Sequence, residues 1–204
     1  MNEGNFRKFL AAWAETVEMV YLLTEETLRI NHLIDKEIER LKNKSEEEIL
    51  NELKPWFRIV IRSSITTIEA ICYRLKQNAI LICSQREKSL SLPELGKLKE
   101  KKRDRDGRLR NYYLETKENI IFTLRINYYA VDSPFEIKDH EGWTKLCETI
   151  EVRNRLTHPK KKDDLDVSPQ QFNYASIGFQ WFMSRIEELS ELTRKHRDGK
   201  SQGP

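Results

Sequence analysis

The residues with the clearest chemical potential form a short polar cluster of Arg153, Asn154 and His158, followed directly by Pro159. Asn154 and His158 are four residues apart and share one face of a helix, and Arg153 lies one step around the same turn. Because proline disfavours the helical conformation of the preceding residue, His158 is predicted to end the helix, where its side chain is accessible. Such a cluster combines an imidazole that can transfer protons with a guanidinium that can bind an anion.

The same cluster has a purely structural interpretation. The helix dipole favours His and Arg at a C-terminal end, and proline stops the helix there. The sequence contains no Gly-rich phosphate loop and no Gly-x-Ser-x-Gly elbow. It therefore shows none of the common nucleotide-binding or serine-hydrolase motifs. Its four histidines and three cysteines show no zinc-binding spacing, so we predict neither a metal site nor a disulfide framework.

Helices must position this cluster, because apolar residues recur at three- and four-residue intervals along most of the chain. The pattern predicts one long amphipathic helix, or two in line, over 6–41. A capping box at Ser45 and Glu48 predicts a short helix that Pro55 ends or offsets. A second long helix is predicted from about Trp56, and its β-branched residues leave a strand as the alternative.

The later part of the chain follows the same pattern. Helices are predicted around 112–129, from about Trp143 into the polar cluster, and after the capping signature formed by Ser168, Pro169 and Gln171. Seven Gly and six Pro leave little material for a turn-rich sheet protein. The predicted fold is therefore all-α, an irregular bundle of about five to seven helices.

A chain of 204 residues is close to one ordinary domain, so we predict a single domain at 1–196 and a disordered tail at 197–204.

Polar residues and the breakers Pro93, Gly96 and Gly107 predict a basic loop at about 89–110. Between Lys97 and Arg110, eight basic and three acidic residues give a net charge of +5. This value exceeds the +3 of the whole chain, so the remainder is slightly acidic.

The sequence also predicts where the protein works. No apolar run approaches the roughly 18–20 residues that a bilayer span requires. The first residues break their apolar positions with charge, unlike the continuous apolar segment of a signal peptide. We therefore expect no membrane association and a cytoplasmic location.

The sequence Arg-Asn-Arg-Leu-Thr-His at 153–158 resembles the Arg-x4-His motif, in its common Arg-Asn-x3-His form, of the HEPN superfamily. The position of the motif at the end of a late helix agrees with that family. Its members are all-helical domains, and many are metal-independent endoribonucleases of prokaryotic toxin and antiviral defence systems. Others serve as RNA-binding or scaffold domains. The resemblance implies a HEPN-like fold.

The resemblance also implies a role for each residue of the motif. His158 would be the acid/base group for attack of a ribose 2′-hydroxyl on the adjacent phosphodiester. Arg153 would bind the scissile phosphate and stabilise the transition state, and Asn154 would orient the imidazole or bind phosphate. The products would carry a 2′,3′-cyclic phosphate and a 5′-hydroxyl. No metal and no cofactor are implied, because the ribose hydroxyl is the nucleophile.

Partners follow from the same resemblance. Protomers of this family usually bring their motifs together across a two-fold interface, which implies a homodimer with a composite active site that binds RNA. A toxin would also have an antitoxin partner. Lys160, Lys161 and Lys162 directly follow the motif and are candidates to hold the RNA backbone.

Two further polar residues lie on the second long helix. Arg62 and Glu69 are seven residues apart, two turns along one face, and polar groups on a buried helix need partners. We take Arg62 as a further candidate for RNA binding and Glu69 as a supporting residue that orients Arg153 or His158. The alternative is an internal ion pair between them.

Two functions of different classes therefore stay open. The first is a metal-independent endoribonuclease that acts as a toxin or antiviral-defence effector. The second is a non-catalytic HEPN module that binds RNA or another protein and retains the motif. Cleavage of RNA in the presence of EDTA distinguishes them.

Overall fold

The structure is a computed structural model that describes residues 3–103, 106–137 and 140–199. It is 78% helical, which confirms the predicted all-α class. None of the helices in these ranges is long and apolar enough to cross a membrane.

Six α-helices, a 3₁₀ turn and a two-stranded ladder make up the described ranges. The helices are α1 (Glu3–Leu41), α2 (Glu46–Gln85), α3 (Leu92–Leu98), α4 (Thr116–Ala130), α5 (Glu141–Thr157) and α6 (Pro169–Gly199), and the 3₁₀ turn is Lys162–Leu165. Strands β1 (Lys101–Arg103) and β2 (Leu109–Asn111) pair antiparallel, with Lys102 opposite Arg110.

Both capping signatures predicted from the sequence, at Ser45 and at Ser168, are confirmed. At the start of α2, the Glu48 carboxylate accepts the Ser45 backbone N–H at 3.0 Å, and the Ser45 hydroxyl accepts the Glu48 N–H at 3.4 Å. At the start of α6, Gln171 and Ser168 make the same exchange at 3.1 and 3.2 Å. These bonds satisfy N–H groups that the first helical turn leaves without partners.

The prediction of a short helix that ends at Pro55 and a second long helix from about Trp56 is wrong, because α2 runs from Glu46 to Gln85 as one helix. Proline removes the donor for the Asn51 carbonyl four residues earlier. Pro55 and Asn51 both lie at exposed positions, where water can replace that donor. Leu53 and Phe57 are buried on either side of the proline, and their packing holds the helix together across it.

The chain divides into two compact units. Unit 1 comprises Met1–Met19, Glu69–Glu136 and Arg185–Pro204, and unit 2 comprises Val20–Ile68 and Ile137–Ser184. Helices α1, α2 and α6 contribute residues to both units. The single domain at 1–196 stays a prediction. Helix α6 includes 197–199 of the predicted tail, and 200–204 lie outside the described residues.

The core of unit 2 positions the helix that carries the polar cluster. Val152 and Leu156 of α5 pack among buried apolar side chains from α1, α2 and α6. The other members of this core are Ile34, Leu41, Leu53, Phe57, Val60, Ile61, Val167 and Ala175. Burial of this face leaves the opposite face of α5 toward solvent.

Two glycines allow α5 and α6 to approach closely. Gly142 faces the Trp181 side chain, and a Cβ on Gly178 would lie 2.7 Å from the Leu146 Cα. Real side chains do not reach that distance, so Gly178 sets the spacing between the two helices. The His140 Nδ1 accepts the Gly142 backbone N–H at 3.2 Å and caps α5 at the same end.

In unit 1 the structure differs from the basic loop predicted at about 89–110. This segment contains α3, β1 and β2, and the first of these begins with a capping box between Ser91 and Glu94. Lys76 of α2, only 2% exposed, donates to Glu100 at 2.6 Å and to Asn119 at 2.9 Å. A buried cation therefore anchors the segment. Residues 104–105 of the predicted loop lie outside the described residues.

We predict that Gly178→Ala destabilises the protein. Helix propensity alone favours alanine by about 1 kcal/mol, but the added methyl group meets the backbone of Leu146. Such overpacking lowers the free energy of unfolding by about 1–3 kcal/mol. Urea denaturation measures the change, and Asn173→Ala at an exposed position of α6 serves as the control. Undiminished stability of Gly178→Ala would contradict the close α5–α6 contact.

Candidate functional site

Helix α5 ends at the polar cluster. Thr157 is its last residue, and His158 is the C-cap with φ −127° and ψ 60°, outside the helical region. The His158 backbone N–H still donates to the Asn154 carbonyl at 3.1 Å. The predicted helix end at His158 is therefore confirmed, and Pro159 accounts for it because a proline disfavours the helical conformation of the residue before it.

The structure places Asn154 and His158 together on the solvent side of α5. Both residues are exposed, and Glu151 precedes them on the same exposed face. Arg153 is half-buried, and its Nε atom is shut off from solvent. The imidazole and the amide are thus accessible to a ligand, whereas the Arg153 side chain lies partly within the protein.

Arg62 of α2 reaches the end of the same helix. Its guanidinium donates to the Leu156 carbonyl, which belongs to the last turn of α5, where carbonyls have no helical donor. Arg62 therefore caps the helix that carries the cluster. Glu69 instead accepts the Thr116 hydroxyl at 2.8 Å, at the start of α4 in unit 1. The structure assigns these two sequence candidates to different units.

A second arginine of the motif fastens the segment that follows α5. One terminal nitrogen of Arg155 donates to the backbone carbonyls of Asp163, Asp164 and Asp166, at 3.1, 2.8 and 2.9 Å. These bonds fold the 3₁₀ turn back against the end of α5. Sequence reasoning missed this role, since Arg155 occupies a variable position of the motif.

Two more cations of α2 contact the same segment. The Arg58 guanidinium donates to the Leu165 carbonyl at 3.0 Å, and the Lys54 ammonium lies 2.9 Å from the Asp166 carboxylate. Together with Arg62, these residues recur every fourth position and share one face of α2. This four-residue spacing can be read from the sequence, and it indicates that the three cations share one helix face.

Asp164 orients the lysine run that follows the motif. Its carboxylate accepts the backbone N–H groups of Lys160 at 2.7 Å and Lys161 at 3.1 Å. The side chains of Lys160, Lys161 and Lys162 are exposed. The Lys161 ammonium lies 3.6 Å from the Asp163 carboxylate, and both of these side chains are open to solvent. Such a pair adds little to stability, so the lysines are accessible to an anionic ligand.

A groove of about 490 Å³ lies beside this site, between α5 and the start of α6. Glu148, Glu151 and Arg155 line it from α5, and Gln170 and Tyr174 line it from α6. Its two carboxylates disfavour phosphate groups. Across the described ranges, no three His, Cys, Asp or Glu side chains form a group that could hold a metal ion.

Comparison of the chain with family models, with curated proteins and with solved structures finds no match. The HEPN resemblance therefore rests on the six residues 153–158 and on their position in an all-α chain.

We predict that the segment after α5 loosens in acid. The Lys160 backbone N–H holds the pKa of Asp164 below its ordinary value of 3.8. A carboxylate with a lowered folded pKa stabilises the fold above its unfolded pKa, and this contribution is lost as the pH falls through the folded value. The amide NMR signals of Lys160 and Lys161 should therefore shift as the pH drops below about 4.

Two matched variants test this assignment. Asp164→Asn should abolish the acid titration of both amide signals, because both amides donate to the Asp164 carboxylate. Asp163→Asn should leave it in place, because the Asp163 carboxylate faces the exposed Lys161 ammonium instead. Amide signals that titrate equally in wild type and Asp164→Asn would contradict it.

Proposed function

We propose that this protein is a metal-independent endoribonuclease that acts as a toxin or antiviral-defence effector. The observation that carries the proposal is the exposed imidazole of His158 at the end of α5, with exposed Asn154 one turn earlier. The exposed run Lys160–Lys162 follows directly. An accessible proton-transfer group beside cations is what cleavage by the substrate's own 2′-hydroxyl requires.

Each residue of the motif takes one part in the reaction. His158 removes the proton of the 2′-hydroxyl as this oxygen attacks the adjacent phosphorus, or returns a proton to the departing 5′-oxygen. Arg153 stabilises the added negative charge of the phosphorane. Asn154 orients the imidazole or binds a phosphate oxygen. Arg62 positions the motif by capping α5, and its exposed side chain stays a candidate for RNA binding.

Charge indicates which side of the motif the RNA backbone follows. Glu148 and Glu151 lie before Asn154 on α5 and repel phosphate. Lys160 and Lys162 lie after His158, with exposed side chains. The backbone therefore runs on the lysine side of the imidazole, where phosphate contacts contribute affinity without sequence preference.

A homodimer supplies the second proton-transfer group, because one imidazole cannot be base and acid in the same concerted step. Helix α1 exposes large apolar side chains within unit 2 that a second copy can cover. They are Tyr21 at 67%, Leu22 at 51%, Leu28 at 61%, Leu33 at 46% and Ile38 at 44% exposure. Such an enzyme acts in the cytoplasm, where its RNA substrates are, and an antitoxin partner restrains it.

We predict that wild type cleaves single-stranded RNA in EDTA and that His158→Ala lowers the rate by about 10²–10⁴-fold, the range of a general acid–base contribution. Gel analysis of labelled RNA measures the rate. His140→Asn, which keeps a side-chain cap at the start of α5 and lies outside the exposed apolar surface of α1, is the matched control and should keep full activity. Circular dichroism establishes that both variants fold.

Two outcomes of that assay contradict the proposal. Equal cleavage by wild type and His158→Ala would mean that another group or a contaminant cuts the RNA. Binding of RNA by wild type without cleavage would instead favour the non-catalytic module.

We predict that a double variant, Tyr21→Glu with Leu28→Glu, dissociates the dimer. These residues are seven positions apart on one face of α1, and carboxylates there oppose association of two copies. Analytical ultracentrifugation should show dimeric wild type and a monomeric variant with reduced cleavage, and Glu26→Gln on the same helix should stay dimeric. Full activity of the monomeric variant would contradict a composite site.

A further inference from the structure

We propose that unit 1 carries a docking surface for an acidic, partly apolar segment of a partner protein. The surface is a groove of about 500 Å³ lined by α3, by the start of β1 and by residues of β2 and its exit, and we call it the α3–β groove. Apolar contacts come from Leu92, Leu109 and Tyr112, and basic ones from Lys97, Lys99 and Lys101.

The apolar part of the α3–β groove is unusually open to solvent. Leu92 is 85% exposed and Leu109 is 65% exposed, yet both lie in the same groove. Single exposed leucines need no explanation, but apolar side chains that line one concave surface mark sites where another molecule binds. Side chains of that size gain most from an apolar partner group that removes them from water.

The basic part of the groove sets the charge of the partner. Lys99 is exposed, whereas Lys97 and Lys101 lie within reach of Glu118 and Asn111, at 2.8 and 2.6 Å. The neighbouring acid, Glu100, is half-buried and forms an ion pair with buried Lys76 at 2.6 Å. Lys76 therefore balances the charge of Glu100, and Glu118 balances that of Lys97. The positive charge of Lys99 and Lys101 makes the groove complementary to a negatively charged segment.

The groove is also held in shape before any partner arrives. A Cβ on Gly96 would lie 2.9 Å from the Lys101 carbonyl, so α3 packs directly on the start of β1. The Tyr112 backbone N–H donates to the Glu100 carbonyl at 2.8 Å and extends the ladder beyond the two strands. A surface ordered in advance loses less entropy on binding.

These features favour a protein segment over RNA. Phosphate groups would use the lysines but would gain nothing from Leu92 and Leu109, which dominate the exposed part of the groove. Single-stranded RNA binds instead on aromatic platforms between basic residues, and Tyr112 is half-buried. A peptide with carboxylates beside leucine or aromatic side chains uses both parts of the groove.

Selection from a random peptide library displayed on phage, against the immobilised 204-residue chain, tests the proposal. We expect the enriched sequences to combine Asp or Glu with large apolar residues. A synthetic peptide of the enriched sequence should bind by fluorescence anisotropy, with affinity that falls as salt rises. Leu92→Ser and Leu109→Ser should each weaken it about tenfold, and Lys99→Glu should weaken it and reduce the salt dependence.

Matched controls distinguish binding in the α3–β groove from nonspecific binding to exposed apolar side chains. Ile59→Ser removes an exposed apolar residue of α2 with 45% exposure and should not change peptide binding. The exposed positions of Leu92, Leu109 and Lys99 allow these variants to fold, and circular dichroism verifies this. Because none of these residues belongs to the 153–158 motif, cleavage of RNA by the variants should remain at the wild-type rate.

Three results would overturn the proposal. Enrichment of neutral or basic peptides, or no enrichment at all, would contradict the stated chemistry. Binding that survives both leucine variants would place the peptide elsewhere. Single-stranded RNA that binds wild type, is lost in Lys99→Glu and is unaffected by Leu92→Ser would make the groove an RNA surface.

Discussion

Three cations on one face of α2 hold the end of α5 and the segment that follows it. Lys54, Arg58 and Arg62 recur at four-residue intervals and contact, in order, the Asp166 carboxylate, the Leu165 carbonyl and the Leu156 carbonyl. The end of any helix leaves carbonyl groups that no helical N–H can reach. In this protein, side chains of α2 supply hydrogen-bond donors for the Leu156 carbonyl and for the segment after α5. The position of His158 at the end of α5 depends on these contacts.

The cationic side chains of unit 2 therefore fall into two groups. Some hold the fold together, and others are exposed where an anionic ligand can reach them. Arg62, Arg155 and Arg58 each donate from one terminal nitrogen to backbone carbonyls, so part of each guanidinium is engaged within the protein. Lys160 and Lys162 extend into solvent beside the exposed imidazole. The proposed ribonuclease therefore relies on flexible lysines for the RNA backbone and on a few fixed groups for the chemistry. Exposed lysines next to an exposed imidazole give a local cluster of positive charge to a chain whose net charge is only +3.

Much of this organisation could be predicted from the sequence, because it depends on short-range physics. Apolar spacing predicted the helices, the capping residues Ser45 and Ser168 predicted two helix starts, and Pro159 predicted the end of α5. The prediction at Pro55 is wrong for an equally physical reason. The cost of a proline inside a helix depends on whether the carbonyl four residues earlier can reach water and on the packing around the proline. Neither is visible from local sequence.

Contacts between distant segments could not be predicted in the same way. The anchoring of the basic segment depends on Lys76 and Glu100, which meet only once α2 and β1 are packed. Arg62 was chosen for its place on the second long helix, and its partner, the Leu156 carbonyl, lies 94 residues further along the chain. Because every residue has a backbone carbonyl, the residue type at position 156 does not indicate this contact. The six residues 153–158 could be identified because their chemistry is local, whereas the contacts that hold them in place are visible only in the structure.

The chemistry of the cut RNA ends tests the proposed reaction most directly. After incubation of a labelled single-stranded RNA in EDTA, the ends can be identified by mass spectrometry and by their response to phosphatase and kinase. Attack by the substrate's own 2′-hydroxyl predicts a 2′,3′-cyclic phosphate on one fragment and a 5′-hydroxyl on the other, with no cut where that ribose is replaced by deoxyribose. Fragments with a 3′-hydroxyl and a 5′-phosphate would contradict the account, because water and not the ribose would then be the nucleophile.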